Sequence, residues 1–130
     1  MRVVVIIPSR YGSRRFDGKP LAAICGKPMI QWVCQQAMQS ACVASVHVAT
    51  DDTRIRDAVR GFGGNVVMTS SRCRSGTDRV AEAAEYLKLD MADVVVNIQG
   101  DQPLVDPRCF DAVVQPFTDD PAVEMSTLAF

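Results

Sequence analysis

Runs of β-branched residues alternate along this chain with segments of helical periodicity, and that alternation limits the fold more than any other feature. Val3 to Ile7 is an unbroken apolar run closed by Pro8, the pattern of a strand buried on both faces of a parallel sheet. Pro28 is placed to open a helix, and Ile30, Val33, Cys34 and Ala37 recur at helical spacing within residues 29–40. Residues 45–50 read as a second strand. Asp52 or Thr53 caps a helix running to Phe62, where Gly63 and Gly64 stop it. Residues 65–68 are a third strand. Thr77, Asp78 and Arg79 open the next helix, with Val80, Ala81, Ala84 and Leu87 on one apolar face. Residues 93–98 are a fourth strand. Asp106 as N-cap and Pro107 as first helical residue start a helix reaching Phe117. Residues 122–130 then read as a fifth strand.

Strands alternating with helices of this length imply right-handed crossovers and a mainly parallel sheet covered by helices on both faces. The expected architecture is a three-layer, Rossmann-like α/β fold, with residues 1–130 as a single domain. That length suits one core, and 48% hydrophobic with 22% charged residues is ordinary globular composition. In such folds ligands bind outside the carboxyl ends of the strands. The segments to search are therefore residues 8–19, 50–52, 69–78 and 99–103.

A formal charge of -1 supplies no basic field for a nucleic-acid backbone, so nucleic acid is not an expected partner. Five cysteines (Cys25, Cys34, Cys42, Cys73 and Cys109) form no C-x-x-C pair, which suggests neither a disulfide framework nor a zinc site. Free thiols fit a reducing compartment, and the expected location is the cytoplasm. The opening apolar run is too short for a signal peptide or a membrane span.

The first loop, from Pro8 to Leu21, holds four cations (Arg10, Arg14, Arg15 and Lys19) and two glycines, Gly12 and Gly18. A polyphosphate needs cations and backbone N–H groups converging on its oxygens, and glycine lets the backbone approach. Neither G-x-x-x-x-G-K-[ST] nor G-x-G-x-x-G occurs here. Charge alone favours a merely solvated basic loop; its position directly after a buried strand reverses that preference toward phosphate binding. Gln99-Gly100-Asp101 ends the fourth strand, where an acid after a glycine can hold Mg²⁺ against phosphates. A turn aspartate bonding its own backbone is the plain structural alternative. Ser75-Gly76-Thr77 offers hydroxyls and amides to the polar edge of a pyrimidine, or an ordinary helix cap at Ser75 or Thr77. His47 and Trp32 read as structural, and Asp51, Asp52, Arg54, Arg56 and Asp57 as a solvated helix face.

Taken in order, Val5-Ile6-Ile7-Pro8-Ser9-Arg10-Tyr11-Gly12-Ser13, Gly18-Lys19-Pro20-Leu21, Gly26-Lys27-Pro28-Met29-Ile30, Val48-Ala49-Thr50-Asp51, Ser75-Gly76-Thr77-Asp78-Arg79 and Asn97-Ile98-Gln99-Gly100-Asp101 resemble the 3-deoxy-manno-octulosonate (Kdo) cytidylyltransferase family. The resemblance covers essentially the whole chain. It implies a nucleotide-diphospho-sugar-transferase-like fold and conversion of CTP and Kdo to CMP-Kdo and pyrophosphate with Mg²⁺, for lipopolysaccharide synthesis. Carried over residue by residue, Arg10 and Lys19 hold phosphates, with Arg15 beside them. Ser75, Gly76 and Thr77 lie toward the cytidine, Pro8 is a substrate-binding residue, Gln99 lies toward sugar or ribose, and Asp101 holds the metal. CMP-sialate synthetases, other sugar nucleotidyltransferases and a non-catalytic nucleotide-binding module are the alternatives.

The sequence departs from the family pattern at Gln102 (usually Glu), at Asp17 (usually Pro) and at Cys73-Arg74 (more often His-Gln). Family members also carry a second half, with a further metal-binding aspartate, most sugar contacts and much of a homodimer interface. Residues 1–130 are thus expected to be the N-terminal, CTP-binding portion, incomplete at the C-terminus and unable alone to complete the reaction.

Overall fold

The computed structural model describes residues 2–12, 18–100 and 103–126. Arg14, Arg15 and Asp17 of the first loop, and Asp101 and Gln102 after the fourth strand, lie outside the described residues, as do residues 127–130.

The element order is β1 (Val3–Pro8), β2 (Ala23–Ile24), β3 (Lys27–Pro28), α1 (Met29–Met38), β4 (Ser45–Thr50), α2 (Thr53–Gly61), β5 (Asn65–Met68), α3 (Gly76–Tyr86), β6 (Val94–Asn97) and α4 (Arg108–Asp119), with a 3₁₀ turn at Lys19–Leu21. Four strands form one sheet in the order β5-β4-β1-β6, and every pairing is parallel, Val5 lying opposite both Val46 and Val96. β1 is central and buried along its whole length. Its alternate side chains feed two cores. Val5 and Ile7 pack with Ile30, Val33, Ile55, Val59 and Phe110 beneath α1, α2 and α4. Val4 and Ile6 pack with Val67, Val80 and Ala83 beneath α3. Full burial of each such side chain is worth roughly 1.5–3 kcal/mol. A third cluster joins Val3, Val94 and Val114.

Local signals set the boundaries. Asp52 caps α2 by accepting from the amides of Arg54 (2.8 Å) and Ile55 (3.3 Å). The helix stops where Gly63 takes φ 81° and the Gly64 amide returns to the Val59 carbonyl. The Asp106 carboxylate accepts from the Arg108 amide at 2.9 Å, which starts α4 just after Pro107.

Three details differ from the sequence reading. Residues 23–28 form a small antiparallel hairpin, β2–β3, turning at Cys25 (φ 50°) and Gly26 (φ 82°). On α3, Val80, Ala84 and Leu87 pack on the core as expected, but Ala81 is exposed and Arg79 and Ala83 are buried with them. Residues 122–126 form no strand. There the Ala122 amide bonds the Asp120 carboxylate and the Val123 amide bonds the Asp120 carbonyl, which makes a turn instead of an extended segment. No helix among the described residues is long and apolar enough to cross a membrane.

Candidate functional site

The carboxyl ends of the parallel strands open into a cleft of about 250 Å³, lined by Pro8, Ser9, Arg10, Cys73, Arg74, Ser75, Gly76, Arg79 and Gln99. Its floor is the end of β1. The Ser9 amide bonds the Ala49 carbonyl at 2.9 Å, holding the chain beside β4 for one residue beyond Pro8. Ser9 is 5% exposed, and its Oγ has no hydrogen-bond partner among the described residues. A Cβ on Gly100 would lie 2.9 Å from that oxygen, and one on Gly76 would lie 3.3 Å from Pro8 Cγ. Both glycines therefore let backbone close down on the floor.

The second wall is the loop between β5 and α3, and the helix holds it by both ends. Arg79 Nη1 donates to Thr69 Oγ1 at 2.6 Å and to the Ser70 carbonyl at 3.4 Å. One turn along, Glu82 accepts from the Ser70 amide at 2.6 Å and from Cys73 Sγ at 3.6 Å. At the other end Ser75 Oγ caps α3 by accepting from the Asp78 amide at 3.1 Å, and Asp78 accepts from the Arg74 amide at 3.3 Å. The first amides of a helix have no partner inside it, so a helix start favours a ligand rich in acceptors. Burial, followed by the neighbouring Glu82 carboxylate, raises the Cys73 thiol above its ordinary range; the protonated thiol is the favoured form.

The first loop is anchored at its root. The Gly18 amide bonds the Tyr11 carbonyl at 2.7 Å, and Gly18 takes φ 75° beneath the Tyr11 ring, which a Cβ would strike at 2.9 Å. Arg54 lies 3.2 Å above the centroid of that ring. Its guanidinium also grips Asp52 (Nη2–Oδ2 2.7 Å), and this pairing lowers the Asp52 pKa below the usual carboxylate range.

Of the residues singled out in the sequence, Pro8, Arg10, Ser75, Gly76 and Gln99 line the one cleft. Lys19 begins the 3₁₀ turn and Thr77 lies in the first turn of α3; neither lines it. Arg15 and Asp101 are outside the described residues. Arg79 went unassigned in the sequence reading. It is 6% exposed, and its Nη2 lies 3.9 Å from Asp51, so the supposed solvated face at Asp51 is instead a half-buried carboxylate paired with a buried arginine. The signal was present: residue 79 shares the buried side of α3 with Val80 and Ala83, and a cation at such a position is seldom without a task.

A parallel sheet whose strand ends hold a polar, arginine-bearing cleft against a helix start defines an α/β ligand-binding protein of the doubly wound class. Comparison with known proteins is more specific. The sequence model described as cytidylyltransferase matches residues 4–130, and the chain belongs to that family. It is 60% identical over 130 residues to a 3-deoxy-manno-octulosonate cytidylyltransferase of Desulfatibacillum aliphaticivorans, covering all of this chain and 53% of that protein. It is 53% identical to an 8-amino-3,8-dideoxy-manno-octulosonate cytidylyltransferase of Shewanella frigidimarina, covering 100% of this chain and 54% of the relative. Among solved structures it resembles a CMP:2-keto-3-deoxy-manno-octonic acid synthetase complexed with CTP. That match has a TM-score of 0.89 at 47% identity and covers 95% of this chain and 50% of the other. The chain thus spans about half the length of the curated relatives it matches.

Proposed function

We propose that this chain carries the CTP-binding part of a cytidylyltransferase that converts CTP and Kdo to CMP-Kdo and pyrophosphate, in lipopolysaccharide precursor synthesis in the cytoplasm. The observation that carries the reading is one cleft lined by Pro8, Arg10, Ser75, Gly76 and Gln99, in a chain similar to a synthetase solved with CTP. In the reaction an anomeric hydroxyl of the sugar attacks the α-phosphorus. The P–O bond to the β-phosphate breaks, pyrophosphate departs and the hydroxyl proton is released. Such transfers ask the protein for positioning and charge neutralisation more than for covalent work. The cleft, at about 250 Å³, is below the roughly 300–1,000 Å³ of sites for drug-sized ligands, so it takes part of the nucleotide. Ser75 and Gly76 at the start of α3, which line the cleft, face the cytidine end. Arg10, with Arg15 and Lys19 of the first loop, neutralises the outer phosphates, and Gln99 bonds the ribose or sugar.

Magnesium is the implied metal. Among the described residues no group of three or more His, Cys, Asp or Glu side chains is placed to hold one, and the assignment rests on Asp101. The surroundings fit a hard cation: Ser9 Oγ is buried, without a partner among the described residues, against Gly100, the residue before Asp101. When bound, Mg²⁺ supplies Lewis-acid neutralisation of phosphate charge. The longer form is proposed to be a homodimer.

A second reading follows from the relative whose name specifies the 8-amino sugar: the same cleft serves CTP while the acceptor is 8-amino-3,8-dideoxy-manno-octulosonate. Calorimetry with Mg²⁺ tests the nucleotide assignment. CTP is expected to bind above GTP and ATP, because a purine leaves the polar groups of a pyrimidine site unpaired. Equal affinities, or a purine preference, would refute it. Pyrophosphate release with each sugar, by the chain extended to its relatives' length, separates the two acceptors.

A further inference from the structure

Arg79 has more donors than the protein uses. A guanidinium presents five N–H groups, and Nη1 alone is hydrogen-bonded among the described residues, to Thr69 and Ser70. Nε and Nη2 form the second fork of the group. Nη2 stands 3.9 Å from Asp51 Oδ2, beyond hydrogen-bond reach. The residue is 94% buried by its 6% exposure and still lines the cleft. Among the described residues Ser9 Oγ is the one buried side-chain polar atom without a partner, so the unused donors of Arg79 keep access to solvent, and an acceptor pair presented there would complete the fork.

We propose that Arg79 is a nucleotide-contacting residue that selects cytosine over uracil. This deepens the reading of the cleft as a CTP site and rests on it. Cytosine offers two adjacent acceptors, N3 and O2, which match two parallel N–H groups. Uracil places an N–H at position 3, so the same fork meets a donor and one pairing becomes a repulsion. The nearby Asp51 carboxylate balances the arginine charge from outside hydrogen-bond distance, so a neutral base edge suits the fork better than a phosphate does. Thr69 and Ser70 fix the other edge of the guanidinium, so the fork is oriented before the ligand arrives.

The test is calorimetry of CTP and UTP against the chain and its Arg79→Lys variant, with thermal unfolding of the same samples. The unmodified chain should hold CTP at least about tenfold tighter than UTP, the size of one charge-assisted hydrogen bond. Lysine keeps the cation but has no fork, so the CTP-to-UTP ratio should fall to within about threefold, chiefly through lost CTP affinity. Loss of both nucleotides by the same factor would overturn the proposal and leave Arg79 as a structural tie. A parent chain that binds CTP and UTP equally would overturn it while leaving the CTP site standing. A chain that binds no CTP would remove the proposed function and this inference with it. Should Arg79→Lys not fold, Thr69→Val carries the test, since it removes the acceptor on Nη1 without touching the cleft lining. The ratio should then fall several-fold, and an unchanged ratio would overturn the proposal.

Discussion

Burial lowers the pKa of His47 below its ordinary 6.5, so the folded protein takes up this proton less readily than the unfolded chain. The contribution to stability is therefore complete above about 6.5 and is lost as pH falls below it toward the folded value, because the unfolded state then binds more protons. The urea midpoint should drop between pH 7.5 and pH 5.5, and His47→Gln should remove part of that drop. An unchanged pH slope in the variant would contradict the assignment. His47 needs no role in the chemistry for this: it sits in β4 opposite Ile6 and Asn65, with its ring Nε2 3.1 Å from Ser45 Oγ. At this scale much of the candidate cleft was legible. Pro8, Arg10, Ser75, Gly76 and Gln99 stand where a strand-end rule looks first. Arg79 was hidden because its value lies in partners remote in sequence, at positions 51, 69 and 70, and pattern reading sees only neighbours along the helix.

The elements were legible where sterics and periodicity agree. β1 is uniform because both its faces are covered, and α2 ends at a glycine pair that only a left-handed cap explains. The β2–β3 hairpin escaped because its strands are two residues each, too short for alternation to register. It is fixed instead by Trp32 Nε1, which donates to the Ile24 carbonyl at 2.6 Å, with Lys27 over the indole at 4.6 Å. The fifth strand was inferred from apolar residues alone, and at 122–126 the Asp120 turn contacts outweigh them. The cap of α3 yields a prediction at this scale. Ser75→Ala removes the oxygen that accepts the Asp78 amide and should cost about 1 kcal/mol of stability. Ser75→Asp should restore it, as read by denaturant unfolding; a neutral Ser75→Ala would show that the cap contributes nothing.

In the whole molecule, one edge of the sheet, β6, has no neighbouring strand among the described residues. A groove of about 670 Å³ runs along it, bounded by β6, by Val113 and Phe117 of α4, and by residues 124–126. Val95 is 37% exposed there, so the sheet is less covered on this side than at β1. The polar cleft lies on the other side of the same strand end, with Gln99 lining both cavities. The two differ in chemistry: among the described residues three arginines line the first and none lines the second. The proposed nucleotide is assigned to the first. The direct measurement is a titration of CTP into the isotope-labelled chain, followed by amide chemical shifts. The account predicts that Ser9 and Arg10, residues 73–79 and Gln99–Gly100 shift together and saturably, while Val113 and Phe117 stay still. Shifts centred on α4 and the β6 groove, or no saturable shift at all, would contradict it.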